Sequence, residues 1–384
     1  MKHPGGKAWI EMTAGTDATD AFETHHVTAK ADAVLSKYLV KDQQIIDTGA
    51  IKAMECFEWE RNGFYSKLKD RVREVFEETD TGPTKQMYLL CYLALFLWAT
   101  FFMLTCSTGS VVVAAISGYF LLVAGFGVGH NFFHQRDRLI MYSFNLTCFD
   151  LAEWRISHVL SHHSYSNTDL DLEASSMEPW LNFMRNRPTN QRWLVLVLWN
   201  LFSFIMPPLN LLNTFRHIFI TRQTSLHPSH CLPVLQLAAI SAFQGAASGL
   251  KLWVIMQGVS SYLLIVLSTP VHRSEFGWTT GCEEIQGEVG DFGEHVLLST
   301  DDYMVGSANL FSKLFLFASF NDHVTHHLFP TIDLSKQHMV RRAFLETCKE
   351  CDVKYESHTF MELARGTRKV LQRREGDPCY TPAN

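Results

Sequence analysis

Three histidine clusters carry the clearest chemical signal in the sequence, because imidazole is the commonest metal-binding side chain in proteins. The clusters are His130-Asn-Phe-Phe-His134, His158-Val-Leu-Ser-His162-His163 and His323-Val-Thr-His326-His327. Residues i and i+4 share a helix face, so His130 can act with His134, and His158 with His162. His163 is turned about 100° from His162, so this adjacent pair can serve two metals. Eight imidazoles exceed the four ligands of a structural zinc site and predict two metal ions with open positions.

The type of ligand does not select the element, because imidazole suits zinc, copper, iron and nickel alike. Asp169, Asp171 and Glu173 follow the second cluster closely. Carboxylates at such positions can accept the second ring N–H of a ligand histidine and thereby fix its tautomer. A solvated acidic loop is the alternative interpretation of these three residues.

The composition places the clusters in a membrane protein. The chain has 384 residues, of which 47% are hydrophobic and only 19% are charged, against roughly 25% charged residues in average soluble domains. A net charge of −6 argues against a nucleic-acid-binding surface, which would be basic. No apolar run begins the chain, so we expect no cleavable signal peptide.

Four apolar runs predict two transmembrane hairpins, since about 20 apolar residues cross the hydrocarbon core. The predicted spans are 87–106, 111–129, 232–248 and 252–270, with turns at 107–110 and 248–251. A fifth run, 193–212, contains Asn200, Pro207 and Pro208. If the histidines share one site, an even number of spans must separate the clusters, so this run should lie in the interface or re-enter. Arginines concentrate on the histidine side, which predicts that this side and both termini are cytosolic.

The three clusters, in this order around two hairpins, resemble the histidine boxes of the membrane fatty-acid desaturase and hydroxylase family over roughly residues 85–345. The segment from His326 to Pro330 (HHLFP) resembles the third box of front-end desaturases, although His323 stands where those enzymes carry Gln. The resemblance implies a non-haem di-iron centre that uses O2 to remove hydrogens from a fatty acyl lipid. It implies as iron ligands His130, His134, His158, His162, His163, His323, His326 and His327. A ninth ligand is expected after the fourth span, at His272, with His295 as the alternative.

The amino end resembles the haem-binding half of cytochrome b5. His3-Pro4-Gly5-Gly6 is followed by a segment from Gly15 to Phe22 (GTDATDAF) and then by His25 and His26. The resemblance implies haem b with His3 and His26 as axial ligands, His25 being the alternative to His26. The motif begins at the third residue, without the strands that precede it in cytochrome b5, so we expect a partial domain. Electrons would come from cytochrome b5 reductase through this segment or through a separate cytochrome b5.

These observations predict an all-α membrane protein with four transmembrane helices and a cytosolic, histidine-rich helical cap. We divide the chain into a cytochrome b5-like segment (1–40), an amphipathic linker (41–86), a membrane desaturase domain (87–345) and a cytosolic tail (346–384). The resemblance implies an enzyme of the endoplasmic reticulum membrane. Three alternatives stay open: a lipid hydroxylase on the same di-iron scaffold, a catalytically silent protein that binds haem or lipid, and a zinc-dependent membrane hydrolase.

Overall fold

A computed structural model of the chain describes residues 3, 5–38, 56–59, 62–176, 178, 181–183, 192–277, 290–306 and 308–374. The described residues form helices joined by short loops and contain no β-strand, as the sequence predicts. The helices are α1 (Lys7–Met12), α2 (Thr19–His25), α3 (Ala29–Leu35), α4 (Phe64–Val75), α5 (Lys85–Thr108), α6 (Val111–Phe133), α7 (151–165), α8 (Leu172–Ser175), α9 (Arg192–Phe219), α10 (Leu232–Gln244), α11 (Ala246–His272), α12 (Phe292–Ser299), α13 (Leu310–Phe315), α14 (His323–Leu328), α15 (Gln337–Glu350) and α16 (Phe360–Leu371). Short 3₁₀ segments cover Ser36–Tyr38, Leu139–Thr147 and Pro228–Cys231.

The first predicted hairpin consists of α5 and α6. Thr84 caps the start of α5 by accepting a hydrogen bond from the backbone N–H of Met87. Gly109 ends α5 in the left-handed conformation (φ 64°), which glycine adopts without steric cost. Ser110 then caps α6. The turn therefore lies where the polar residues 107–110 predict it, and both helices are long and apolar enough to cross a membrane.

The second hairpin turns earlier than the sequence predicts. The helix α10 ends at Gln244, and Gly245 forms the turn with φ 79°. Residues 248–251, which we expected in the turn, lie inside α11, because Gly249 packs against Ser241 of the neighbouring helix. The Gln244 side chain donates a hydrogen bond to the carbonyl of Cys106 (2.6 Å). This bond places both hairpin turns at the same end of the bundle.

The fifth apolar run forms one continuous helix, α9, through Pro207 and Pro208. Its length and composition make it a candidate membrane span together with α5, α6 and α11, whereas α10, at 13 residues, is shorter than a span. Near its start, Val195 packs with Phe183, whose ring lies 5.9 Å from the Arg273 guanidinium. Near its end, His217 Nδ1 lies 2.6 Å from Glu153 Oε1. Both ends of α9 therefore contact residues near the histidine clusters.

The remaining predicted segments are partly described. The linker contains α4, whose buried residues Phe64, Leu68 and Val72 carry the amphipathic spacing seen in the sequence; residues 39–55 lie outside the described part of the chain. The predicted boundary at 345 falls inside α15, because Val340, Phe344 and Cys348 continue one buried helix face past it. The membrane domain and the tail are therefore joined by an unbroken helix.

Close packing of α6 against α11 depends on Gly118. A Cβ atom at this position would lie 2.5 Å from the carbonyl oxygen of Met256 and 2.9 Å from Cβ of Val259. Because the obstructing atoms include backbone, neither helix can yield by moving a side chain alone. The absence of a side chain at Gly118 therefore sets the distance between the two helices that lead into the histidine clusters.

We predict that Gly118→Ala destabilises the protein by about 1–3 kcal/mol, because overpacking a close helix contact forces backbone shifts. The measurement is thermal unfolding of the detergent-solubilised chain. Val112→Ile, which adds one carbon to an exposed position of the same helix, is the control and should leave the unfolding temperature unchanged. Equal unfolding temperatures for the two variants would contradict the packing interpretation.

Candidate metal centre

Nine buried histidines converge at the end of the bundle opposite the hairpin turns, and each is at most 6% exposed. Eight of them form two groups that could each hold a metal ion, and a third possible set, His158, His162 and Glu173, lies between the two. Group one consists of His130, His134, His158, His163 and His326. Group two consists of His162, His272 and His327, joined by His323, whose Nε2 lies 2.8 Å from Nε2 of His272. The prediction that the three clusters converge is confirmed by this geometry.

The first cluster lies at the end of α6. Residues Leu122–Gly129 of this helix are π-helical, and Gly129 allows the backbone of Phe144 to approach closely. His130 and His134 follow on one face, with their Nε2 atoms 3.1 Å apart. The expectation that these two imidazoles serve one metal therefore agrees with the structure.

The second cluster is arranged differently from our expectation. Arg155–His162 is a π-helix, in which the hydrogen-bonded turn closes at i+5 instead of i+4. His158 and His163 therefore share a face, with their Nε2 atoms 3.1 Å apart. His162 points to group two, where its Nε2 lies 3.2 Å from Nε2 of His272. His158 and His162 nevertheless lie side by side, as expected, with ring centroids 5.2 Å apart, and both can join Glu173 in a further possible metal-binding set. The adjacent histidines 162 and 163 divide between the two groups, as the sequence predicts.

The third cluster also serves both groups. Nε2 of His326 lies 3.2 Å from Nε2 of His130 in group one. Its neighbour His327 stacks on His163 with ring centroids 4.0 Å apart but belongs to group two. Neighbouring rings on one short helix thus point to different groups.

The structure separates the two candidates for the ninth ligand. His272, the last residue of α11, places its Nε2 between His162 and His323. His295 instead directs its Nε2 at the carbonyl of Ser166 (2.9 Å). His272 therefore joins the cluster, and His295 belongs to the packing around it.

Two of the three expected carboxylates hold ring nitrogens. Asp171 accepts from Nδ1 of His162 (3.1 Å) and from the Arg273 guanidinium (2.9 Å). Glu173 accepts from Nδ1 of His158 (2.8 Å). Asp169 is exposed and contacts neither ring among the described residues, so the expectation fails for Asp169. It lies on the outer side of a loop whose inner side holds Asp171.

The carboxylates control the protonation of this end of the centre. Burial, followed by the neighbouring imidazoles, keeps the pKa values of His134 and His163 well below the ordinary value. Burial alone would lower the pKa of His162 as well, but the charges of Asp171 and Glu173 raise it above the ordinary value. Despite burial, His162 and Arg273 hold the pKa of Asp171 far below its usual range. The lowered pKa values of His134 and His163 favour the neutral imidazole, the form that binds a metal.

Two supporting carboxylates were missed by the sequence analysis. Asp333 accepts hydrogen bonds from the side chains of Asn131 (2.7 Å) and Gln135 (3.0 Å), so it ties the first cluster to the loop after the third. Asp302 accepts from the backbone N–H groups of His323 and Val324 at the start of α14. Asn131 and Gln135 lie 202 and 198 residues from Asp333, so no local spacing signals these contacts.

The haem motif at the amino end brings its two expected ligands together. The ring centroids of His3 and His26 are 5.8 Å apart. Nδ1 of His26 lies 3.0 Å from the carbonyl of Phe22, which leaves its Nε2 free to bind a metal. Nδ1 of His25 lies close to both the Ala21 carbonyl and the Thr24 hydroxyl, and its ring is not paired with His3. The spacing from Phe22 thus favours His26, as expected.

Comparison with known proteins agrees with this architecture. Residues 107–359 match the fatty acid desaturase family, and residues 1–43 match the cytochrome b5-like heme/steroid binding domain. The chain is 30% identical to the cytochrome b5-related protein of Drosophila melanogaster, over 98% of this chain and 85% of the relative. It is 23% identical to acyl-lipid (8-3)-desaturase B of Dictyostelium discoideum, over 98% and 88% of the two chains. A third relative, acyl-lipid (8-3)-desaturase of Physcomitrium patens, is 23% identical over 93% and 81%.

The desaturase match contains all nine clustered histidines and covers about two thirds of the chain. The cytochrome b5 match contains His3, His25 and His26. The resemblance inferred from the motifs is thereby confirmed. The chain belongs to the fatty acid desaturase family, a family of oxidoreductases, and carries a cytochrome b5-like segment at its amino end.

Proposed function

We propose that the protein is a di-iron, O2-dependent fatty acyl lipid desaturase that receives electrons through haem b. The observation that carries the proposal is the division of nine buried histidines into two adjacent ligand groups. Structural zinc sites use four ligands that close the coordination sphere. Five and four imidazoles around two neighbouring positions fit a two-metal centre, and membership of the desaturase family selects iron from the metals that imidazole binds.

The donor set fits this cofactor. The Nε2 atoms of facing rings lie close together, that of His130 being 2.8 Å from Nε2 of His158 and 3.1 Å from Nε2 of His134. Both ring nitrogens of His327 are buried without a hydrogen-bond partner among the described residues, and such groups are costly in a protein interior unless a metal or water satisfies them. When bound, the two irons would supply the O2 activation needed to remove two hydrogens from an unactivated acyl chain.

The protein's own contribution is to hold neutral rings in place and to exclude water. Glu173 and Asp171 hold the Nδ1 protons of His158 and His162, so both rings present Nε2 to the centre. Partners of this kind raise ligand basicity and fix ring orientation. Phe133, Phe320 and Trp154 pack against group-one rings, so the surroundings of this group are apolar and exclude water.

Haem b would be held by His3 and His26, whose ring centroids lie 5.8 Å apart. Haem supplies electrons one at a time, which matches a centre that consumes two per turnover. The partner that reduces it would be cytochrome b5 reductase. A separate cytochrome b5 is the alternative source of electrons if this segment does not hold haem.

We further propose that the protein lies in the endoplasmic reticulum membrane with the histidine side cytosolic. The two hairpin turns contact each other through Gln244 and Cys106 at the opposite end. Both ends of α9 contact residues near the histidine clusters. These contacts support a helix that does not cross the membrane and has both ends on the histidine side. With an even number of crossings, both termini lie on the cytosolic side.

The proposed activity predicts a new unsaturated fatty acyl lipid in cells that express the chain, formed only in the presence of O2. We expect His162→Ala to abolish this product because group two loses a ligand, whereas the exposed His338→Ala should retain it. Lipid profiling under oxygen-18 gas is the measurement. A double bond without label supports desaturation, and a labelled hydroxyl would overturn it in favour of a hydroxylase.

Metal content should follow the two groups. We predict two iron ions per purified chain, one for each group, and a lower content in both His326→Ala and His327→Ala. Because these neighbours serve different groups, each variant should keep spectroscopic features of the opposite group, as measured by Mössbauer spectroscopy beside elemental analysis. His338→Ala is the control. Identical residual spectra in the two variants would contradict the division into groups.

The carboxylate loop offers a matched pair of variants. We predict that Asp171→Asn lowers iron affinity about 10–100-fold, the usual cost of losing a partner that orients a ligand histidine. Asp169→Asn, two residues away and exposed, should leave it unchanged. Iron content during titration with a competing chelator is the measurement. Equal affinities in the two variants would remove Asp171 from the support of the centre.

A further inference from the structure

The amino-terminal segment (residues 3–38 as described) contacts the chain immediately after each of the three histidine clusters. The contacted residues are Asp137, Tyr165 and Thr331, which follow His134, His163 and His327 by three, two and four residues. A haem-carrying segment that binds only transiently would not need contacts beside all three clusters. The segment is therefore part of the wall around the metal centre.

The contact at the first cluster involves the glycines of the haem motif. The backbone N–H of Asp137 donates to the carbonyl of Gly5 (3.1 Å). Gly6 has φ 125°, and a Cβ on it would collide with the Asp137 carboxylate. Asp137 also binds the buried guanidinium of Arg155 (2.8 Å), which lies 4.6 Å from the centre of the Trp9 ring. Glycine at position 6 is thus required for docking as well as for its backbone angle.

The contact at the second cluster is a buried carboxylate. Asp20, 9% exposed, accepts hydrogen bonds from the Tyr165 hydroxyl (2.8 Å) and from the indole N–H of Trp59 (2.9 Å). Next to it, Lys69, which is 5% exposed, donates to the Glu23 carboxylate (2.8 Å). These polar groups are satisfied across the interface, so separating the segment would leave them unpaired or expose them to water.

The contact at the third cluster is made by the backbone of His25. The Thr331 hydroxyl donates to the carbonyl of His25 (3.1 Å). Nε2 of His25 is buried and has no hydrogen-bond partner among the described residues. The segment thus reaches the loop that follows the third cluster through the backbone of His25.

We propose that this segment is a permanent cover of the metal centre, which holds the three clusters in register and retains the metal whether or not the segment carries haem. The proposal rests on the proposed function in one respect, that the histidine groups bind metal. The covering role is separate from electron delivery, because a cover acts through its packing and hydrogen bonds and needs no haem. The surface that the segment covers includes Asp137, Tyr165 and Thr331, the contacted residues that follow the three clusters.

The proposal depends on the free energy needed to open the structure around the metal centre. A metal ion leaves a buried site only when the surrounding structure opens enough to let water or a chelator reach it. Weakening the docked segment raises the population of the open form, and each tenfold rise corresponds to about 1.4 kcal/mol. Breaking one partner of a buried polar contact costs an amount of this size.

The experiment uses two independent docking variants, each with a matched control, in the full-length purified chain. Asp20→Asn weakens the contact with Tyr165, and Asp17→Asn alters an exposed carboxylate that accepts hydrogen bonds from nearby Thr19. Gly6→Ala introduces the collision with Asp137, and Gly15→Ala changes a glycine that also has a positive φ (82°) but open space around it. Each control makes the same type of substitution at a position outside the three docking contacts.

Iron release into a chelator is the first measurement, made on chains produced with and without haem. We expect release about tenfold faster in Asp20→Asn and Gly6→Ala than in their controls, as one lost buried contact implies, with the same ratio in haem-free protein. Hydrogen–deuterium exchange of peptides 155–165 and 322–331 should rise in the same two variants. This second measurement needs no metal, so it tests docking separately from the metal assignment.

Equal release and equal exchange in variants and controls would overturn the cover. A release rate that follows haem content instead of the docking variants would overturn it as well. Failure of the proposed function has a different signature, since the unaltered chain would then bind no iron at all. In that case the exchange measurement alone decides between a docked cover and a loose segment.

Discussion

The structure depends on one constraint, which is that nine imidazoles are buried side by side with few hydrogen-bond partners for their ring nitrogens. Each unpartnered buried nitrogen costs about 1–3 kcal/mol, and neutral rings within 3 Å of each other offer little in return. A metal ion bound by several facing Nε2 atoms would offset part of this cost. The surrounding helices therefore bring distant parts of the chain together around positions that a metal ion would stabilise.

Helix geometry determines how those positions are divided. A regular α-helix across the second cluster would turn His158 and His162 to the same side, which would leave His163 apart. The π-helical turn of Arg155–His162 instead pairs His158 with His163 and sends His162 to group two. A π-helical turn also precedes the first cluster, where Gly125 and Gly129 allow Thr147 and Phe144 to approach. Deviations from regular helix of this kind are frequent at functional sites, and here one of them determines which ligands act together.

The ligand residues could be predicted from the sequence because their type and spacing are local properties. The same holds for α5 and α6, whose apolar runs are separated by polar turn residues. The turn at Gly245 could not be placed, since Ser248-Gly249 has equal turn character and only the packing of Gly249 against Ser241 decides. The run that contains Pro207 and Pro208, expected in the interface or re-entrant, forms one continuous helix, α9. Contacts such as that of Asp333 with Asn131 depend on the tertiary fold and cannot be predicted from local residue spacing.

The carboxylates and the amino-terminal segment both connect the ligand helices to other parts of the chain. Asp171 binds His162 and the Arg273 guanidinium, so one buried anion links the second cluster to the end of α11. Asp137 likewise links Arg155, at the start of the second cluster, to the haem motif through Gly5. A buried carboxylate such as Asp171 is tolerated only when it is paired and hydrogen-bonded, so moving it requires several partners to move with it. Asp137 is itself exposed, but the guanidinium that it pairs with is buried, so the haem motif is connected to the second ligand helix by one backbone hydrogen bond and one half-buried ion pair.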